Sequence, residues 1–237
     1  WGCGAKEARI SQAAFDRFYY YLTTDERTGD LMREQTDADT LLYHLDPMRL
    51  AEPRSKYPCH APARLRIGPD WLAYAGNWMT EWERFGTKKY REKILTGLQS
   101  IAALPDGIFT GNLAKGYDPA TGKITYDGDP SLRSTNHLMT IMGGFEVMNE
   151  LMLLVRDERF AATWLDFARR YKQMSLDIRK SKFPVRRLEA YAAWMDRDPQ
   201  RAASVWDALW QQGDSTSNTN NAALWSLDAI YIQEVLR

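Results

Sequence analysis

Along most of the chain, apolar residues recur every three to four positions, the period of a helix with one buried side. Residues 7–22, EARISQAAFDRFYYYL, place Ala14, Phe15, Phe18, Tyr19 and Leu22 along one side. After the turn TTDERTGD, a second helix is predicted from about Thr28 to Leu45, with Leu31, Ala38, Leu41, Leu42 and Leu45 inward. The two read as an antiparallel helical hairpin. Gly68-Pro69-Asp70 opens a third helix, over 69–85, because proline suits the first helical position and Asp complements the positive helix end. Its Trp71, Tyr74, Ala75, Trp78, Trp82 and Phe85 share one face. A fourth helix (87–104) turns Tyr90, Ile94, Leu98 and Ile101 inward. The fifth is expected to start near Thr135 and to pass through Gly143-Gly144, a pair that marks a kink or a close helix contact. Further helices are predicted over 158–180, 184–196, 199–211 and 221–237.

Two stretches break the rhythm. Residues 46–68 carry Pro47, Pro53, Pro58 and Pro62 among Arg49, Arg54, Lys56, Arg64 and Arg66. A loop that long inside a helical domain is usually functional. The run GYDPATGKITYDG predicts a β-hairpin turning over Asp118–Gly122. Around these insertions a weak repeat is visible: YYLTTDERTGDLMRE, WERFGTKKYREKIL, LVRDERFAATWLDFARRY and WMDRDPQRAASVWDAL. Each is an apolar helix end, a short charged turn and an amphipathic return helix. Unequal loops between such hairpins favour a toroid over a solenoid of fixed period. The expected fold is all-α, an incomplete α/α toroid of antiparallel helical hairpins with one short β-hairpin insertion. Residues 1–237 are read as one domain. The last helix lacks a partner and the chain opens on Trp1, so a piece of a longer protein is expected.

Charge narrows the function classes. Lys plus Arg and Asp plus Glu are 31 each, which argues against a general nucleic-acid binder. No apolar run approaches the roughly 20 residues of a membrane span. Nine Trp and twelve Tyr suit both helix packing and sugar stacking. Cys3 and Cys59 are the two cysteines, and their pairing is left open. No zinc signature, P-loop or dinucleotide fingerprint is present, and no cofactor is expected. Asp118, Asp127 and Asp129 cluster near the hairpin and are able to bind calcium, but their spacing fits no EF-hand, and turn formation is the preferred reading.

The runs DRFYYYLTTDERTGDLMRE, YHLDPMRLAEPR, HAPARLRIGPDWLAYAGNWMTEWERFG and STNHLMTIMGGFEVMNEL resemble the helical domain of the exo-rhamnogalacturonan-lyase-like proteins. These are polysaccharide lyases and relatives in which β-rich domains accompany an α/α toroid. The similarity is strong over the N-terminal two thirds and rests on helical pattern beyond it. It implies a secreted or periplasmic protein with upstream β domains. It also implies an acidic polysaccharide or oligosaccharide substrate and β-elimination at a uronate.

That chemistry needs a cation or hydrogen-bond donor on the uronate carboxylate, a base for the adjacent proton and an acid for the leaving oxygen. His137, expected at a helix start beside Asn136 and near Arg133, is the first candidate for the base. His60, in the cationic loop, is the second. His44 reads as a core-edge residue. Arg64 and Arg66 alternate with Leu65 and Ile67, so an extended segment points both one way, and guanidinium suits a carboxylate. Tyr117 and Tyr126 flank the hairpin turn and are candidates for the acid. Trp71 and Trp78 are candidate sugar platforms, with core packing as the alternative. Asn112 and Asn77 are weaker contacts. Two rival functions stand beside the lyase. One is a toroid glycoside hydrolase in which two of Asp70, Glu81, Glu146 and Asp127 meet in a cleft. The other is a non-catalytic helical module that binds glycan or protein.

Overall fold

A computed structural model describes residues 12–44, 59–111, 114–136, 143–179, 185–211 and 219–237. Its helices are α1 (Ala13–Thr23), α2 (Glu26–Glu34), α3 (Leu72–Phe85), α4 (Lys88–Ala103), α5 (Gly144–Val155), α6 (Glu158–Arg179), α7 (Val185–Asp196), α8 (Pro199–Gln211) and α9 (Thr219–Leu236). Three short strands, β1 (Ala63–Leu65), β2 (Lys115–Asp118) and β3 (Lys123–Thr125), form one antiparallel sheet in that order. The all-α class with a small β insertion is as expected. The hairpin, however, gains a third strand from the cationic loop. Contacts divide the chain into two compact units, 1–163 and 164–237.

In the first unit α3 is the central element. Leu72 to Glu81 are buried without a break, so the helix is enclosed all round instead of showing one wet face. It packs on α1, α2, α4 and α5. Side-chain bonds fix its neighbours: Asn77 Oδ1 accepts the Ala13 N–H at 2.8 Å, and Trp78 Nε1 donates to the Thr36 carbonyl at 3.0 Å. Arg17, buried on α1, reaches Glu83 at 3.0 Å and also Glu150 of α5. Gly76 faces both Ala14 and Val147. These pairings advance in the same sense along each helix, so α1, α3 and α5 run parallel.

The repeat in the sequence is a repeat of corners. Thr24, Gly86, Arg156 and Arg197 each follow a helix in the left-handed conformation, with φ of 56°, 66°, 55° and 53°. The next residue then opens the return helix. Asp25 accepts the Thr28 N–H at 3.0 Å, Asp157 the Phe160 N–H at 2.9 Å, and Asp198 the N–H groups of Gln200 and Arg201 at 3.0 Å. Two residues therefore suffice to reverse the chain.

Three expectations need correction. The helix expected over 28–45 stops at Glu34 and resumes as a 3-10 turn over Ala38–Tyr43. Thr36 and Thr40 hydroxyls bond back to the Arg33 and Asp37 carbonyls, a local competition that ends helices. On α1 the buried side is Ala13, Ala14 and Arg17, while Phe15, Phe18, Tyr19 and Leu22 are exposed. Small residues let α1 lie close against α3, which the aromatic side would prevent. Finally, Thr135 and Asn136 are not helical, and α5 starts at Gly144 from a left-handed Gly143 (φ 72°) whose missing Cβ makes room for the Phe15 ring.

In the second unit α7 and α9 are parallel. Arg187 meets Asp228, the Tyr191 and Tyr231 hydroxyls lie 3.0 Å apart, and Trp194 Nε1 donates to Glu234 at 2.6 Å. Ala190, Ala193, Ala202 and Ala229 bring α7, α8 and α9 close around Leu209 and Ile232. Among the described residues no helix is long and apolar enough to cross a membrane.

Candidate functional site

The segment leading into α3 is paired as a strand up to Leu65 and stays extended through Arg66. Trp71 N–H then donates to the Arg66 carbonyl at 3.1 Å, closing a π-helical turn over Ile67–Trp71 that feeds α3. Asp70, fully buried, accepts the Arg66 N–H at 2.7 Å and locks this turn. Chain extension before the turn allows β1 to pair with β2, Ala63 with Tyr117, Arg64 with Gly116 and Leu65 with Lys115.

Beside this sheet lies a cavity of ≈ 330 Å³ lined by Arg64, Lys115, Tyr126, Asp127, Asp129 and Cys59, among others. Arg64 and Lys115 are each 1% exposed. Burial holds the Lys115 ammonium down to a pKa of about 8, well below the usual lysine value. Its Nζ lies 5.2 Å from the centre of the Tyr126 ring. Tyr126 is placed by a hydrogen bond from its hydroxyl to the Asp129 carbonyl, 3.0 Å, and by Gly111, where any Cβ would collide with the ring. Asp127 Oδ2 accepts the His60 N–H at 2.9 Å and lies 3.3 Å from the His60 Nδ1. Asp129 accepts the N–H and hydroxyl of Ser131 at 2.8 and 2.7 Å, bonds that hold its carboxyl below the usual range.

The cavity thus gathers Arg64 and Tyr126, with His60 attached to its edge through Asp127. Other expected site residues are elsewhere. Arg66 falls beyond the strand end and does not line the cavity, because the π turn redirects the chain. Tyr117 is buried, and its hydroxyl donates to Asp39 at 2.6 Å; burial and that neighbouring carboxylate push it well above the usual tyrosine pKa. Such a phenol has no route to a leaving group. Trp71 and Trp78 have no exposed surface and are core residues, Trp71 lying against Gly97. Asn77 is likewise buried and serves α1. Arg133 bonds to Asp106 and to the Pro130 and Leu132 carbonyls, bracing a turn. Asn136 donates to the Ile108 carbonyl from a buried position. His44 is exposed at the end of the 3-10 turn. His137, Asn112 and Cys3 lie outside the described residues.

The calcium reading gains nothing from the geometry. Asp118 serves its own turn through Ala120 and Thr121, as Asp129 does through Ser131, and among the described residues no three acidic, His or Cys side chains converge on a metal position. Lys115 was the residue the sequence reading missed. Strand alternation puts Lys115 two positions before Tyr117, on the same side of β2, and an inward aromatic there is a signal for an inward lysine.

Helical hairpins with αL corners and a sheet-braced cavity at the helix starts fit an α/α toroid domain. The sequence matches the family described as PcRGLX-like protein C-terminal alpha/alpha toroid domain over residues 1–237, and the chain belongs to that exo-rhamnogalacturonan-lyase-like family. It is also 38% identical over 231 residues to the Bacillus subtilis (strain 168) protein named "Uncharacterized protein YetA", a match covering 92% of this chain and 26% of that protein. The chain therefore spans about a quarter of the length of the curated relative it matches.

Proposed function

We propose that this chain is the toroid domain of a secreted or periplasmic polysaccharide lyase that cleaves an acidic, rhamnogalacturonan-like polymer by β-elimination. The observation that supports the reading is one hollow lined by Arg64, Tyr126 and Asp127, with an exposed His60 at its edge beside Asp127. Arg64 receives the uronate carboxylate and so acidifies the proton on the adjacent carbon. His60, turned by Asp127 at Nδ1, offers Nε2 to that proton. The electron pair left behind forms the new carbon–carbon double bond, the glycosidic carbon–oxygen bond breaks, and Tyr126 protonates the departing oxygen. The side chain of His60 is 95% exposed, so a covering element is needed to exclude water, and upstream β domains of the same protein are the expected one. His137 is the other candidate for the base.

A hydrolase needs two carboxyl groups facing one bond, one of them kept protonated. Asp70 is locked under the π turn, Glu81 lies mid-helix beside Arg33, and of the four carboxylates considered from sequence only Asp127 lines the cavity. The added Asp129 is held below the usual range, the wrong direction for a general acid. The test uses the full-length protein on uronate polymers, following near-ultraviolet absorbance from the new double bond. His60→Ala and Tyr126→Phe should each lower kcat by about 10²–10⁴ with folding retained. Release of saturated reducing sugar without an absorbance rise would replace the lyase with the hydrolase. Unchanged turnover in both variants would remove these residues from the chemistry.

A further inference from the structure

Tyr126 sits in a slot with glycine on two sides. A Cβ on Gly111 would lie 2.5 Å from the ring carbon Cε2, and one on Gly128 would lie 2.6 Å from the phenol oxygen and 2.7 Å from Cζ. The two glycines differ in what they do. Gly111 has a φ of 68°, so a side chain there is strained wherever the ring lies. Gly128 is exposed and outside the left-handed region, so its backbone would accept alanine. Only the phenol needs the space.

The chain around that phenol is anchored. Asp129 accepts the Ser131 N–H at 2.8 Å and its hydroxyl at 2.7 Å. Gly111 N–H donates to the Leu132 carbonyl at 2.8 Å, and Ser134 N–H to the Phe109 carbonyl at 2.9 Å. These bonds fix the Asp129 carbonyl that accepts the Tyr126 hydroxyl at 3.0 Å. Gly128, Asp129 and Tyr126 all line the cavity. The hydroxyl can turn from that carbonyl to a leaving oxygen by rotating about its own carbon–oxygen bond, with the ring unmoved. An atom added at position 128 therefore displaces the far end of the tyrosine and leaves the backbone in place.

We propose that Gly128 is a positioning residue: its lack of a side chain sets the place of the Tyr126 phenol oxygen in the cavity, and through it the proton transfer to the leaving oxygen. The assignment rests on the lyase reading above and adds to it a residue with no chemistry of its own. A methyl at 128 would push the oxygen by about 1 Å to reach ordinary van der Waals separation, and a misplacement of that size is worth about 10²-fold in rate.

Gly128→Ala, Tyr126→Phe and the double variant of the full-length protein test this in two measurements. In the near-ultraviolet assay Gly128→Ala should lower kcat by about 10–100-fold with KM unchanged. In the Tyr126→Phe background the same change should lower kcat no further, because the displaced oxygen is already gone. The second measurement needs no turnover. It is fluorine NMR of protein carrying 3-fluorotyrosine, with the Tyr126 signal assigned by its loss in Tyr126→Phe. Gly128→Ala should shift that signal and leave the other tyrosine signals and the thermal midpoint nearly unchanged. An unmoved Tyr126 signal in folded Gly128→Ala, or kcat losses that add in the double variant, would overturn the assignment. So would a KM raised in both backgrounds, since the methyl would then only narrow the cavity. Without any absorbance rise from the unaltered protein the lyase reading falls, and the Tyr126 signal alone decides whether Gly128 places the phenol. A shifted signal beside an unchanged kcat keeps the lyase and removes Gly128 from it.

Discussion

Replacing Lys115 by methionine should stabilise the protein, and the gain should depend on pH. Methionine matches the length of the lysine stem and has no charge to desolvate. The unfolded chain holds this proton up to 10.5, whereas the folded chain releases it at about 8. Between those values the unfolded state binds more protons, so the stability of the unaltered protein rises with pH across the window. Below pH 8 both states are protonated and the whole penalty is present. At about 1.4 kcal/mol per pH unit, the distance from 10.5 to about 8 is worth about 3 kcal/mol. Lys115→Met should therefore be more stable by about 3 kcal/mol at pH 7, and the difference should shrink towards zero as pH approaches 10.5. Urea unfolding of both proteins at pH 7, 8, 9 and 10, compared as the difference at each pH, isolates this residue from other titrating groups. A Met variant less stable at pH 7, or a difference that ignores pH, would refute the reasoning: it would mean that a partner already compensates the ammonium.

The remaining predictions concern the frame. Lys93 Nζ lies 2.7 Å from Asp39 Oδ2, with both side chains almost fully buried, so Lys93→Met should cost about 3–5 kcal/mol by stranding a carboxylate. Burial already pushes the Asp39 carboxyl up against the pull of Lys93 and Tyr117, so that variant should regain stability as pH falls and Asp39 takes a proton; thermal melts at pH 5 and 8 decide it. Gly97→Ala would put a Cβ 2.5 Å from Trp71 Nε1 and should cost about 1–3 kcal/mol, with a changed near-ultraviolet circular dichroism signal. Gly86→Ala meets no atom within 4 Å, so only its φ of 66° matters, and a loss of about 1 kcal/mol in denaturant titrations is expected.

The helices from α6 onward were legible almost to the residue, because Asp-Pro and charged turns punctuate a strong helical period. The repeated turns were legible too, as sequence, although their shared αL geometry shows only in the backbone. What periodicity could not decide was which side of a helix is buried. On α1 the aromatics outnumber the alanines, yet close packing on α3 selects Ala13 and Ala14. For α3 the same ambiguity took another form: an aromatic stripe reads alike as platform or core, and enclosure by four helices makes Trp71 and Trp78 core. The cavity itself depends on pairings far apart in sequence, β1 with β2 and His60 with Asp127, which no local pattern encodes. Of the residues singled out from their chemistry, Arg64 and Tyr126 line this cavity and His60 adjoins it through Asp127, whereas Lys115 was passed over because a lone lysine on a short strand is usually solvated.

The corners also explain why the cavity lies where it does within the first unit. Since α1, α3 and α5 run parallel, each hairpin has one end closed by a two-residue αL joint and one end that receives the incoming chain. An αL residue followed at once by a helix-opening residue leaves no slack at the first end. Extra length can enter only before α3 and α5, and the cationic segment and the β-hairpin are found there. Once both insertions emerge at the same end, antiparallel pairing satisfies their backbone groups and sets Arg64 opposite Gly116 and Lys115 opposite Leu65 beside the cavity. A rigid helical frame thus carries the corners and its own buried charges, Arg17, Glu81 and Lys93, while Arg64 and Lys115 sit on the added segments. That division leaves corner geometry to the helices and gives the sheet, with the cavity beside it, to the inserted segments.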